Sequence, residues 1–143
     1  MLIELGEKLR EGSERPFAHA LDALCHYAIT DDAGPLQAAL EELRATDAKH
    51  RLAYTLTRAA LLDVERKRPA AAIARATEAL TYAEVLDRAT EVMLAHVALA
   101  CAHRAANDTA SYSKHAAALA SLEGAPVAGW ARARAAALTN PRG

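Results

Sequence analysis

One stretch constrains the fold more than any other, Arg68 to Asp108, reading RPAAAIARATEALTYAEVLDRATEVMLAHVALACAHRAAND. Pro69 opens a helix, because its missing N–H would have no intrahelical partner in a first turn. A short break follows at Val85 to Asp87, then a second long helical pattern that stops at Asn107-Asp108. Two helices of this length joined by so short a break must fold back on one another. Composition supports more of the same on either side. The chain of 143 residues holds 38 alanines against one Phe, one Trp and four Tyr. Alanine is the best helix former and lets helices approach closely. Runs of β-branched residues alternating with polar ones are absent, so an all-α protein of one domain, 1–143, is expected.

Ahead of this stretch, Leu2, Leu5 and Leu9 lie at helical spacing and Gly12 ends a short N-terminal helix. Ser13 offers an N-cap oxygen for the next helix, which is expected to bury Phe17, Leu21, Leu24, Cys25 and Ala28. Thr30 to Pro35 reads as a turn in which Gly34 supplies the positive φ, and Leu36, Ala39, Leu40 and Leu43 stripe a shorter helix behind it. Asp47 and Asp87 are expected to cap the helices that follow them. Leu52, Leu56, Ala59, Ala60, Leu62 and Val64 form the apolar face of one long helix, and Leu94, Val97, Ala98, Cys101 and Ala105 that of another. Gly124-Ala125-Pro126 breaks the chain before a last helix over about 126–138. Six of these helices pair into hairpins over about 14–46, 48–85 and 87–122. Their first helices begin near 14, 48 and 87, spacings of 34 and 39 that signal a repeat.

At the second and third hairpins the residues resemble tetratricopeptide repeats, especially the degenerate ones of bacterial transcription regulators and signalling ATPases. In AALLDVERKRPAAAIARATEAL (59–80), Ala60, Ala72 and Ala79 match the small residues where the two helices of a repeat touch. In VALACAHRAANDTASYSKHAAAL (97–119) Ala98, Ala110 and Ala117 take the same roles, and Ala38 is the small anchor of the first hairpin. Leu56 and Leu94 stand where the family has a bulky aromatic, and Lys67 where it has Gly or Asn. The resemblance implies a right-handed stack of about three antiparallel hairpins. The short N-terminal helix would precede it and the last helix would cap it. Its concave groove, lined by the first helices, would bind a peptide, a partner helix or a small effector.

In that register the groove positions are Tyr27, Tyr54, Thr57, Arg58, Leu61, Glu65, His96, Leu99 and His103. Half-buried edges are also where amphipathic side chains ordinarily lie. Trp130, the single tryptophan, is expected to anchor the terminal cap, or to serve as a contact between two copies of the chain.

No metal or cofactor is expected. His96 and His103 are two turns apart with Cys101 turned to the other stripe, and Cys25 and His26 point in diverging directions, so zinc lacks convergent ligands. Catalysis lacks its parts too: no glycine-rich loop cradles phosphate, and no Ser or Cys sits in a nucleophile elbow. Residues 1–65 carry 12 acidic and 7 basic side chains and 66–143 carry 6 and 10, a gradient too shallow to suggest nucleic acid. Arg66-Lys67-Arg68 and Arg132, Arg134 and Arg142 lack the aromatic interleaving of a nucleic-acid site and read as solvated helix ends. Without a secretory signal or a bilayer-length apolar run, a cytoplasmic protein with free thiols is expected. The expected function is a non-catalytic adaptor or regulatory module binding a protein or peptide. Its alternatives are a helical oligomerisation module pairing through its end helices, and a small-molecule effector sensor of a transcriptional regulator.

Overall fold

A computed structural model describes residues 14–139, and the helix expected over Leu2 to Glu11 lies outside them. The described residues form seven helices and no strand: α1 (Glu14–Thr30), α2 (Gly34–Ala45), α3 (Lys49–Glu65), α4 (Pro69–Val85), α5 (Ala89–Ala105), α6 (Thr109–Ser121) and α7 (Gly129–Thr139). None of them is long and apolar enough to cross a membrane.

One turn joins most of these helices. Asp47, Lys67, Asp87 and Asn107 fall twenty residues apart, and each takes a left-handed φ of 53° to 63° just past a helix end. The N–H of the following residue then reaches back into the last turn, as in Ala48 to the Leu43 carbonyl (3.3 Å) and Arg68 to the Asp63 carbonyl (2.8 Å). Arg88 to Ala83 (2.9 Å) and Asp108 to His103 (2.9 Å) repeat the pattern. This is the bond pattern of a Schellman ending, which satisfies carbonyls that a helix end leaves without partners. Asp and Asn tolerate the left-handed region better than most residues, which explains three of the four positions.

Two expectations are corrected by these turns. Asp47 and Asp87 supply the left-handed residue and cap nothing: the N-caps are Ala48 and Arg88, neither with a side-chain bond. Asp108 does cap, accepting from the Ser111 N–H at 3.1 Å. In the first turn the positive φ falls on Asp31 (64°), while Gly34 begins α2 and donates its N–H to Asp32 Oδ1 at 3.0 Å.

From α1 to α6 each helix packs on the next, and α1 with α3, α3 with α5 and α5 with α7 pack as well. The odd-numbered helices therefore form one continuous row. Helices α2, α4 and α6 pack on that row, and α2 meets α4 through side chains such as Arg44 with Glu78 (2.7 Å). One apolar cluster joins Tyr27, Leu36, Leu40, Leu43, Leu52, Leu56 and Ala79. A second joins Leu61, Met93, Leu94, Val97 and Leu99 to Ala131 and Ala135 of α7. Helix α4 lies between α3 and α5 because its fully buried side chains are all alanine: Ala72, Ala76, Ala79 and Ala83. Any larger residue there would push one neighbour away.

Candidate functional site

Helices α1, α3 and α7 enclose an open groove of about 700 Å³, with Leu24, Cys25 and Ala28 on one wall, Leu61 and Leu62 on the floor, and Trp130 and Ala133 opposite. Trp130 is 53 % exposed, although a side chain of this size gains most from burial. The sequence places Leu24, Cys25 and Ala28 in the core and Tyr27 in the groove, and the structure reverses both. Ala20, Ala23 and Tyr27 are the buried side of α1, while Cys25 and Ala28 are exposed and Leu24 partly so. The reversal turns an apolar stripe of α1 toward the groove.

Tyr27 turns inward because a carboxylate waits for it. Asp63, fully buried, accepts the Tyr27 hydroxyl and an Arg75 N–H at 2.7 Å, and Arg68 donates to the same phenol oxygen at 3.0 Å. A buried charge is tolerated only when paired and hydrogen-bonded, so these three elements are tied at one point. Arg66 adds to the tie by donating to the Tyr27 carbonyl (2.7 Å), the Ala28 carbonyl and Asp31, at the C-terminal end of α1. The cluster Arg66-Lys67-Arg68, expected as a solvated helix end, thus sends two of its arginines to α1. The Arg68 guanidinium beside Asp31 holds that carboxyl below its ordinary range.

Along the rim of the groove, rings and guanidinium groups alternate. Arg51 lies 4.9 Å over Phe17, whose ring meets Tyr54 edge-on at 5.5 Å and 82°. Arg58 lies 3.7 Å over Tyr54 and 5.2 Å over Trp130. Such stacks hold a cation against the negative face of a ring, and they fix Arg58 in place. Its charge is already matched, since it pairs with the buried Glu91 of α5 at 3.1 Å. At the far end Arg134 pairs with Glu65, which is exposed, and the Arg134 Nε is buried without a partner.

Of the positions expected to line the groove, Arg58 and Leu61 do so, and Trp130 joins them from α7. Tyr54 supports Arg58 from beneath, and Glu65 holds Arg134. Thr57 is buried and returns its hydroxyl to the Tyr54 carbonyl at 3.0 Å, leaving it nothing to offer a ligand. Leu99 is buried in the cluster that contains Ala131 and Ala135, because α7 packs over α5. The last helix thus replaces α5 as a wall.

His96 and His103 lie on another side of α5, toward α6, where His115 joins them. Their Nδ1 atoms place His96 and His115 3.0 Å apart, and the His103 ring stacks on His115 at 5.7 Å and 7°. Burial, with His96, His103 and Lys114 nearby, pushes the His115 pKa down to about 4, and burial likewise lowers that of His96. His115 has no helical-repeat partner in its own helix, so spacing within one segment could not reveal this trio. Among the described residues no group of three or more His, Cys, Asp or Glu side chains is arranged to hold a metal ion.

Comparison of the chain with models of protein families, with curated proteins and with solved structures found no match in any of the three.

Proposed function

We infer that this chain is a non-catalytic binding module whose α1–α3–α7 groove takes a segment of a protein partner. What supports the reading is a concave, mostly apolar groove with Leu24 and Ala28 facing Trp130 over Leu61, since binding sites are commonly concave, apolar and edged by a few polar groups. The rim arginines suit orientation more than affinity, because Arg58 and Arg134 each already hold a glutamate. A partner helix with apolar residues at i, i+3, i+4 and i+7 is the occupant that such a trough accommodates.

The same reading takes the seven helices as three antiparallel hairpins, α1–α2, α3–α4 and α5–α6, stacked with the right-handed sense of tetratricopeptide-like repeats. Helix α7 serves as their cap. It also carries the expectation of an adaptor or regulatory role in the bacterial cytoplasm. Capture from a lysate tests it: a partner retained by the native chain should be lost with Leu24→Glu and with Trp130→Ala, each keeping native helicity by circular dichroism. Retention by both variants sinks the assignment of the groove.

A second copy of the chain is the competing occupant, favoured by the exposure of Trp130. Sedimentation equilibrium separates the two readings. A dimer that forms with rising concentration and dissolves in Trp130→Ala would make the groove a self-contact.

A further inference from the structure

We propose that His96, His103 and His115 form a proton-sensitive latch that holds α6 on α5 near neutral pH and releases it in mild acid. Among the described helices α6 packs on α5 alone. Of its 13 residues only His115 is buried, while Ser111, Tyr112, Ala116, Ala118 and Leu119 are half-buried. An element held by so little apolar surface opens more readily than the rest of the fold. Its central fastening is polar.

The contact between His96 Nδ1 and His115 Nδ1, at 3.0 Å, requires one ring to donate and the other to accept. A neutral imidazole has one N–H and one bare nitrogen, so the bond exists only while at least one ring is neutral. When both are protonated, donor faces donor and two positive charges lie side by side. On the other side of His115 the stacked His103 adds a third imidazole.

The surrounding charges do little to offset a gained proton. Helix α5, the one helix packed on α6, presents His96, His103 and Arg104, the last 5.7 Å over the Tyr112 ring. Helix α6 itself contributes Lys114 beside His115. The nearby carboxylate is that of Asp108, which lies 3.5 Å from His103 Nδ1 and already accepts from Ser111 at 2.7 Å and 3.1 Å. Protonation at the His96–His115 contact therefore meets burial and like charge together, and separation of α6 from α5 relieves both. The latch lies on the α6 side of α5 and is independent of the groove and of what the groove binds.

Amide hydrogen exchange on the full chain at pH 7 and pH 5, corrected for intrinsic rates, tests the proposal. A ring that moves from its buried state to an ordinary histidine environment shifts the opening equilibrium of α6 by about 20-fold between these pH values, with α6 exchanging ahead of α3 and α4 at both. His115→Phe should abolish the acid response of α6. If that variant does not fold, His96→Gln, which takes one proton site out of the contact, should reduce it. Protection of α6 equal to that of α3 and α4 at pH 5 would overturn the latch, as would an undiminished α6 response in His96→Gln. In addition, ring ¹⁵N shifts should show His115 neutral at pH 6, and a His115 already half protonated there would overturn it too.

Discussion

The two faces of α1 teach how one helix can be structural on one side and available on the other. On its buried face Tyr27 reaches Asp63, and every polar atom it brings inside is used: the hydroxyl by Asp63, Arg68 and Arg75, and the carbonyl by Arg66. On its open face Leu24, Cys25 and Ala28 line the groove. The first face is closed because its polar groups satisfy one another inside the protein. The second is open because α7 covers α5 rather than α1. A site made of satisfied polar groups has stability to lose, and a site made of uncovered apolar ones has binding to lose.

That contrast can be broken at its closed end first. Asp63→Ala removes the partner of a buried guanidinium and should cost about 3–5 kcal/mol in urea denaturation. A loss below about 1 kcal/mol would mean that the polar tie is dispensable. The histidine side of α5 comes next. The His115 pKa in the folded chain, about 4, lies below the ordinary 6.5, so the unfolded chain binds the extra proton between those values. Stability from this group is therefore complete above about pH 6.5 and lost as pH falls toward 4, in total on the order of 3 kcal/mol. Denaturation curves of the native chain and His115→Phe should converge in acid, and curves that stay parallel would contradict the assignment.

Tyr27→Phe tests the closed face more gently. Removing only the hydroxyl leaves the Asp63–Arg75 pair but withdraws one donor from a buried carboxylate, which should cost about 1–3 kcal/mol. At the open end the effect on stability should be smallest. Trp130→Ala, at a half-exposed position, should change the midpoint of thermal unfolding little, within about 0.5 kcal/mol, while eliminating capture of a groove-bound partner. A large destabilisation would place Trp130 among the supports of the fold and erase the distinction between the two faces.

Much of the helical framework is legible in the sequence. Pro69 opens α4, Leu36, Leu40 and Leu43 bury the inner side of α2, and the break at Gly124 to Pro126 separates α6 from α7. The candidate site was less legible. Arg58, Leu61 and Trp130 meet at one groove, yet His96 and His103 lie toward α6 and Tyr27 is buried. The cause on α1 is that its most apolar stripe, Leu21, Leu24, Cys25 and Ala28, is not the side that faces in, because the side with Ala20, Ala23 and Tyr27 is drawn inward by the polar tie to Asp63. A tyrosine in such a helix reads as an edge residue, and only an acid 36 positions further on makes it a core residue.

By itself the sequence determined what depends on neighbours along the chain: which segments are helical and about where they stop. Those outcomes follow from local torsional preference and from hydrogen bonds within a few residues. Only the tertiary structure decided that Asp63 draws Tyr27 inward, that α7 covers α5 and leaves α1 open, and that a histidine of α6 meets two of α5. Each joins side chains from different helices, and their free energies depend on burial and pairing that no local spacing encodes.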